Sequence, residues 1–189
     1  MIVDERMVTF INSLDTENTA ILEQIEQEAL DTYVPIIRKE MQSFLKVLLA
    51  MQKPKRILEV GTAVGFSAIL MSEYVTEECE ITTIEKYEKR IPIARENFRR
   101  AGKEKQITLL EGDAMEVMRL LNPGGVLVSD NVLQEGDIIE SRFAVERRNR
   151  TIHSRMREYL YALKHDDRLL TSIVPIGDGA TVSVKIGEK

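Results

Sequence analysis

An acid and an amide stand side by side at the end of an apolar run. Gly125-Val126-Leu127-Val128 leads into Ser129-Asp130-Asn131-Val132-Leu133. The run has the length of a buried strand, and Asp-Asn at its end has two chemical readings. The pair can close an Asx turn on its own backbone. Alternatively, its side-chain oxygens can supply two ligands to a hard cation, which prefers oxygen and keeps some waters. A bound dication stabilises an oxyanion, so this second reading offers a way to activate a hydroxyl.

A second constellation lies earlier, in Glu59-Val60-Gly61-Thr62-Ala63-Val64-Gly65-Phe66-Ser67. Gly61 suits a tight turn after a strand. Gly65 opens a helix whose N–H groups point at whatever lies beyond. A dinucleotide loop would read GxGxxG, and that pattern fails at Ala63; no Walker lysine follows. Glu85 ends the next apolar run and could accept both hydroxyls of a ribose, or be a solvated acid beside Lys86. Gly112-Asp113-Ala114 marks a third strand end, where Asp113 could bond an adenine amino group or cap a helix. Acids at three strand ends without a phosphate loop suit a positively charged nucleoside better than a pyrophosphate.

The elements that must position these groups follow from periodicity. Apolar residues at helical spacing predict a helix over 13–30 and a second one opened by Pro35 and stopped by Pro54. Strands are expected at 56–60, 81–85, 106–110 and 125–129, with helices at 66–74 and 88–101, the latter ending at Gly102. A long polar helix is expected over 142–164. Two closing strands, 169–174 and 180–185, flank Pro175-Ile176-Gly177-Asp178-Gly179 and must be antiparallel. Strand-helix alternation gives an α/β fold, a doubly wound and mostly parallel sheet with an antiparallel C-terminal strand. Ligands bind such sheets at the carboxyl ends of the strands.

The 189 residues, 43% of them hydrophobic, suit a single domain over 1–189, with N-terminal helices to 53 and a Rossmann-like core from 54. A net charge of -5 excludes a globally basic nucleic-acid binder but leaves room for a local patch. One cysteine, Cys79, excludes an internal disulfide and is expected to be inert. No apolar run approaches the roughly 18 residues of a membrane span, and MIVDERMVTF lacks a signal-peptide core. The expected compartment is the cytoplasm.

Together, "LEVGTAVGFSA" at 58–68, "TIE" at 83–85, "GDA" at 112–114, "SDNVL" at 129–133 and "VPIGDGATVSVK" at 174–185 resemble the divalent-metal-dependent, S-adenosylmethionine-dependent O-methyltransferases of the catechol and caffeoyl-CoA type. Within that family, the two-helix start, the "VPI" before the second helix and the Arg-rich stretch are most similar to bacterial tRNA 5-hydroxyuridine methyltransferases. The resemblance implies cofactor contacts at Ile37, Gly61, Ser67, Glu85, Asp113 and Ala114, with Glu59, Thr62, Gly65 and Gly112 in the same cradle. It implies Mg2+ or a similar cation on Asp130 and Asn131, which would act in catalysis through the metal, and it suggests a homodimer.

One part of the family pattern is missing. The first metal ligand, an Asp ending strand four, and a nearby Lys base have no counterpart here. Only ten residues, AMEVMRLLNP, separate Asp113 from Gly124, where the family has a helix, a strand and another helix. Crossing from the third strand to the one carrying Asp130 spans roughly 26 Å. Ten extended residues just reach that far at about 3.3 Å each, whereas ten in a helix reach about 15 Å. A segment missing near 115–121 is therefore expected, rather than a true deletion.

Arg142, Arg147, Arg148, Arg150, Arg155 and Arg157 crowd one stretch, with Glu140, Glu146 and Glu158 interspersed. The stretch is either a solvated helix face or a phosphate-contacting patch. Arg142, Arg147, Arg148 and Arg150 are the candidates for RNA contact. His153 and His165 are expected at the surface. Three functions remain open: methylation of a hydroxyl in the tRNA anticodon region, methylation of a small phenolic substrate, or cofactor binding without catalysis.

Overall fold

The computed structural model describes residues 3–112 and 121–186. The chain divides into two compact units, Leu14–Met115 and Met1–Ser13 with Glu116–Lys189.

The unit Leu14–Met115 holds a parallel sheet of β1 (Arg56–Val60), β2 (Glu80–Glu85) and β3 (Ile107–Glu111), in the order β1-β2-β3. Register places Glu59 opposite Thr83, and Glu85 opposite Glu111. Side chains alternate along a strand, so Ile81, Thr83 and Glu85 of β2 share one buried face. Among the described residues this unit has four helices: α2 (Ala20–Asp31), α3 (Lys39–Gln52), α4 (Phe66–Glu73) and α5 (Ile91–Arg100). α4 buries Phe66, Ala68, Ile69, Leu70 and Met71, which cover its whole circumference, as a helix within a core must. α2 offers Leu22, Ile25 and Ala29 at helical spacing. α5 offers Ile91, Ala94 and Phe98. The Arg100–Glu28 ion pair at 2.7 Å ties α5 to α2 and lowers the Glu28 pKa, chiefly through its hydrogen bond.

The second unit contains α1 (Glu5–Asn12), whose N-terminus is capped by Asp4 accepting the N–H groups of Arg6 and Met7. It also contains a separate antiparallel sheet of β4 (Val126–Ser129), β5 (Leu169–Val174) and β6 (Ala180–Lys185), in the order β4-β6-β5. α6 (Arg150–His165) packs against β5 and against a 3-10 segment, Gln134–Ile139.

The expected helix over 13–30 starts only at Ala20, as α2, and α1 precedes residues 13–19. Pro35 lies in an extended stretch four residues before α3 rather than in its first turn, because Tyr33 takes a positive φ and Val34 closes α2 by bonding the Ala29 carbonyl. α3 ends at left-handed Lys53, ahead of Pro54. The polar helix begins at Arg150, not 142, after turns at Ser141–Ala144 and Glu146–Asn149. All six strands fall within a residue of expectation, but they form two sheets rather than one, and β4 pairs with antiparallel β6. Among the described residues no strand lies between β3 and β4; the expected gap near 115–121 falls almost wholly outside them. No described helix is long and apolar enough to cross a membrane.

Candidate active site

The glycine turn is held by β2. Gly61 and Thr62 donate N–H bonds to the Ile84 carbonyl at 2.9 and 3.2 Å. Glu85, itself buried, accepts N–H bonds from Ala63 on one oxygen, and from Lys86 and Tyr87 on the other, at 2.8–3.0 Å. A carboxylate has about four acceptor sites, so one remains on the oxygen facing Ala63. Gly61 has a φ of +94°, and a Cβ there would meet nothing within 4 Å, leaving its backbone open to a ligand. Gly65 differs: a Cβ would lie 2.6 Å from Phe98, so its bareness serves packing on α5.

Beneath the turn runs a polar chain. Thr62 and Thr83 share a hydrogen bond at 2.6 Å, and Thr83 donates to Glu59 at 2.5 Å. Ser67 donates to the other Glu59 oxygen. Burial pushes the Glu59 carboxyl up to about 6, against the bonds from Ser67 and Thr83 that lower it; the Glu85 charge adds to the rise.

The structure thus brings together Glu59, Gly61, Thr62, Gly65, Ser67, Glu85 and Gly112, whose N–H bonds the Glu85 carbonyl at 2.9 Å. The Thr62 side chain is buried and turned to Thr83. Ile37 packs on the core of the same unit, its carbonyl accepting from Gln42 at 3.1 Å. Asp113 and Ala114 lie outside the described residues.

Asp130 and Asn131 belong to the other unit. Asp130 Oδ1 accepts the Asn131 N–H at 2.8 Å, and Asn131 is exposed with a φ of +59°. The following residues are pinned by the closing turn: Val132 and Leu133 donate to the carbonyls of Gly179 and Asp178, each at 2.9 Å. Gly179 has no room for a Cβ, which would lie 2.3 Å from Leu133 Cγ. One carboxylate and one amide are a thin donor set. Among the described residues no three His, Cys, Asp or Glu side chains gather as metal ligands. Asp130 and Asn131 fit two of the oxygen ligands of a hard cation that keeps its waters.

The arginines divide by role. Arg150 donates to the carbonyls of Val145 and Phe143 at 3.2 and 3.1 Å, and Arg157 to those of Ile138 and Glu140 at 3.3 Å. Arg148 pairs with Glu146 at 2.7 Å. Arg142 and Arg147 are exposed, with no partner among the described residues. Arg150 is therefore a clamp on its own loop.

Sequence reasoning missed four positions. Asn97 donates to the Val64 carbonyl and braces the glycine turn; an amide on the apolar face of α5 was its signal. Thr83 was visible as an inward β2 position. Tyr159 shares a 2.6 Å hydrogen bond with Ser129, for which the sequence carries no signal. His153, expected at the surface, is 2% exposed, and neither ring nitrogen has a partner among the described residues. His165 is exposed as expected, stacked on Tyr161.

A parallel sheet whose strand ends carry a glycine turn and a buried glutamate, joined in one chain to an antiparallel sheet, is the arrangement of Rossmann-like methyltransferases. A caffeoyl-CoA O-methyltransferase homologue from Staphylococcus aureus matches it at a TM-score of 0.87 and 25% identity, over 96% of this chain and 100% of that one. An O-methyltransferase from Bacillus cereus, solved with SAH, shares the fold at a TM-score of 0.79 and 20% identity, over 94% and 96%. The family model described as O-methyltransferase matches residues 12–121 and 115–186, two pieces meeting at the short link. The chain belongs to the O-methyltransferase family, and with it to the S-adenosylmethionine-dependent enzymes. A catechol O-methyltransferase from Niastella koreensis is 26% identical over 128 residues, which are 51% of this chain and 58% of that protein.

Proposed function

We propose that this chain moves the methyl group of S-adenosylmethionine to a hydroxyl of tRNA, that of 5-hydroxyuridine at the wobble position. The S–CH3 bond breaks as an O–CH3 bond forms, the hydroxyl loses its proton, and S-adenosylhomocysteine leaves. The sulfonium methyl is already electrophilic, so the protein's share is largely alignment. The remaining acceptor site of Glu85 suits a ribose hydroxyl. Glu59 and Glu85, near the ends of two adjacent strands, suit a cationic cofactor; Glu111 on the third is paired with Arg95 at 3.0 Å.

The observation that carries the RNA acceptor is the exposed arginine stretch at 142–148, a local basic patch on a -5 chain. Phosphate contacts from such a patch position RNA without reading its sequence. A divalent cation, which the family resemblance adds, would be held by Asp130 and Asn131 and would stabilise the acceptor oxyanion. A second copy belongs to the same reading, because α1 leaves Met7, Phe10 and Ile11 exposed.

Mass spectrometry of tRNA nucleosides from cells with and without the gene tests the acceptor. Loss of the methylated wobble nucleoside is expected; an unchanged nucleoside profile sinks the proposal. The similarity to a catechol O-methyltransferase favours one alternative, a small phenol as acceptor. Efficient turnover of free catechol by the purified protein, with no methylation of tRNA, would establish it.

A further inference from the structure

The surface loop between the 3-10 segment and α6 is built with unusual care for an exposed stretch. Val145 is buried and anchors it. Arg150 holds the Val145 and Phe143 carbonyls, and Arg157 holds those of Ile138 and Glu140. Between these clamps Phe143 stands 82% exposed, as does Ile139. The Arg150 guanidinium lies 5.8 Å from the Phe143 ring centroid, a cation–π distance that orients the ring. Leaving two large apolar side chains in water is unfavourable by itself, so a clamped loop that does so presents a contact surface.

Charge selects the occupant. Residues 139–157 hold six arginines against two glutamates. Arg142, Arg147 and Arg155 are exposed and have no partner among the described residues. An apolar protein face would leave those charges uncompensated, whereas a polyanion with flat apolar rings satisfies both features. Aromatic rings between arginines are the means by which single-stranded nucleic acid is held: bases stack on the rings and phosphates meet the charges.

We propose that Phe143 is a stacking platform for an unpaired base of single-stranded RNA, with Arg142, Arg147 and Arg155 on its phosphates. The proposal rests on the RNA-acceptor reading and deepens it, assigning the protein an unpaired loop rather than a stem.

The test uses the full chain, a fluorescein-labelled single-stranded RNA oligomer and the same oligomer annealed to its complement. The wild type should prefer the single strand. Phe143→Ala should weaken single-strand binding by at least about fivefold, the lower end for one base stack, with the salt dependence unchanged. Three free arginines predict a log–log salt slope near -2, at about -0.7 per phosphate, and R142A/R147A should cut it by more than half. The chain has no tryptophan, so Phe143→Trp places one reporter whose emission should be quenched by the single strand. Wild-type binding with F143A equal to it overturns the platform alone. A shift in sedimentation of F143A without loss of RNA binding also overturns it, assigning the patch to contact between copies. Failure of the wild type to bind either RNA at low salt overturns the RNA-acceptor reading itself.

Discussion

Glu59 should make the protein less stable at neutral pH than at mildly acid pH, and Glu59→Gln should remove that dependence. The carboxyl moves from 4.5 to about 6 on folding. Below pH 4.5 it is protonated in both states and contributes nothing. Between 4.5 and 6 the folded state holds the proton more firmly, so stability falls as pH rises. Above 6 the loss is complete. A shift of about 1.5 pH units at 1.36 kcal/mol each corresponds to about 2 kcal/mol. The amide of E59Q is neutral throughout and can still accept from Ser67 or Thr83, whose hydroxyls rotate to suit. Urea unfolding of both proteins from pH 3.5 to 7.5 gives a difference curve in which titrations not coupled to Glu59 cancel, Glu85 being the coupled group. The wild type should lose about 2 kcal/mol relative to E59Q across that range. At a urea slope of about 2 kcal/mol per molar, this is a midpoint shift of about 1 M. A difference curve flat with pH, or one sloping the other way, would show that burial does not dominate at Glu59.

Gly179→Ala should destabilise by about 1–3 kcal/mol, since the new methyl meets Leu133 and the φ of +84° disfavours any side chain. Adding Leu133→Ala should recover only the steric part, and equal midpoints for G179A and wild type in urea would refute the contact. His153→Phe should leave the melting temperature within a few degrees of wild type or raise it, because a ring with no partner loses no hydrogen bond when its nitrogens go. A loss of more than about 2 kcal/mol, the size of an abandoned buried partner, would mean that the imidazole is bonded after all.

Much of the fold was legible because its strands are short, apolar and bounded by glycine or charge. Ile81-Thr82-Thr83-Ile84-Glu85 has no other comfortable state, and the five-residue turn at 175–179 allows only an antiparallel pair. The helix starts were not legible, for two physical reasons. Pro35 is equally at home in an extended lead-in, and the positive φ of Tyr33 that places it there leaves no mark in a single sequence. Arginines and glutamates over 142–149 are good helix formers, yet burial of Val145 and carbonyl capture by Arg150 hold the chain in turns; a tertiary contact outweighs propensity here.

The two groups of candidate residues differ in legibility for a related reason. The proposed cofactor residues sit in features written in backbone: a glycine turn, a strand register and an acid two residues beyond a buried threonine. Each follows from local pattern, so Gly61 and Glu85 fall together as expected. The arginine stretch is written in side chains that can serve either the protein or a ligand, and composition does not separate the two uses. Six arginines read as one patch in sequence. In the fold, Arg150 and Arg157 spend their donors on carbonyls and Arg148 on Glu146, leaving Arg142, Arg147 and Arg155 without a partner among the described residues. A charge count therefore overstates the arginines open to an outside partner about twofold. Arg150 serves instead to hold Phe143, a residue that no count of charges would single out.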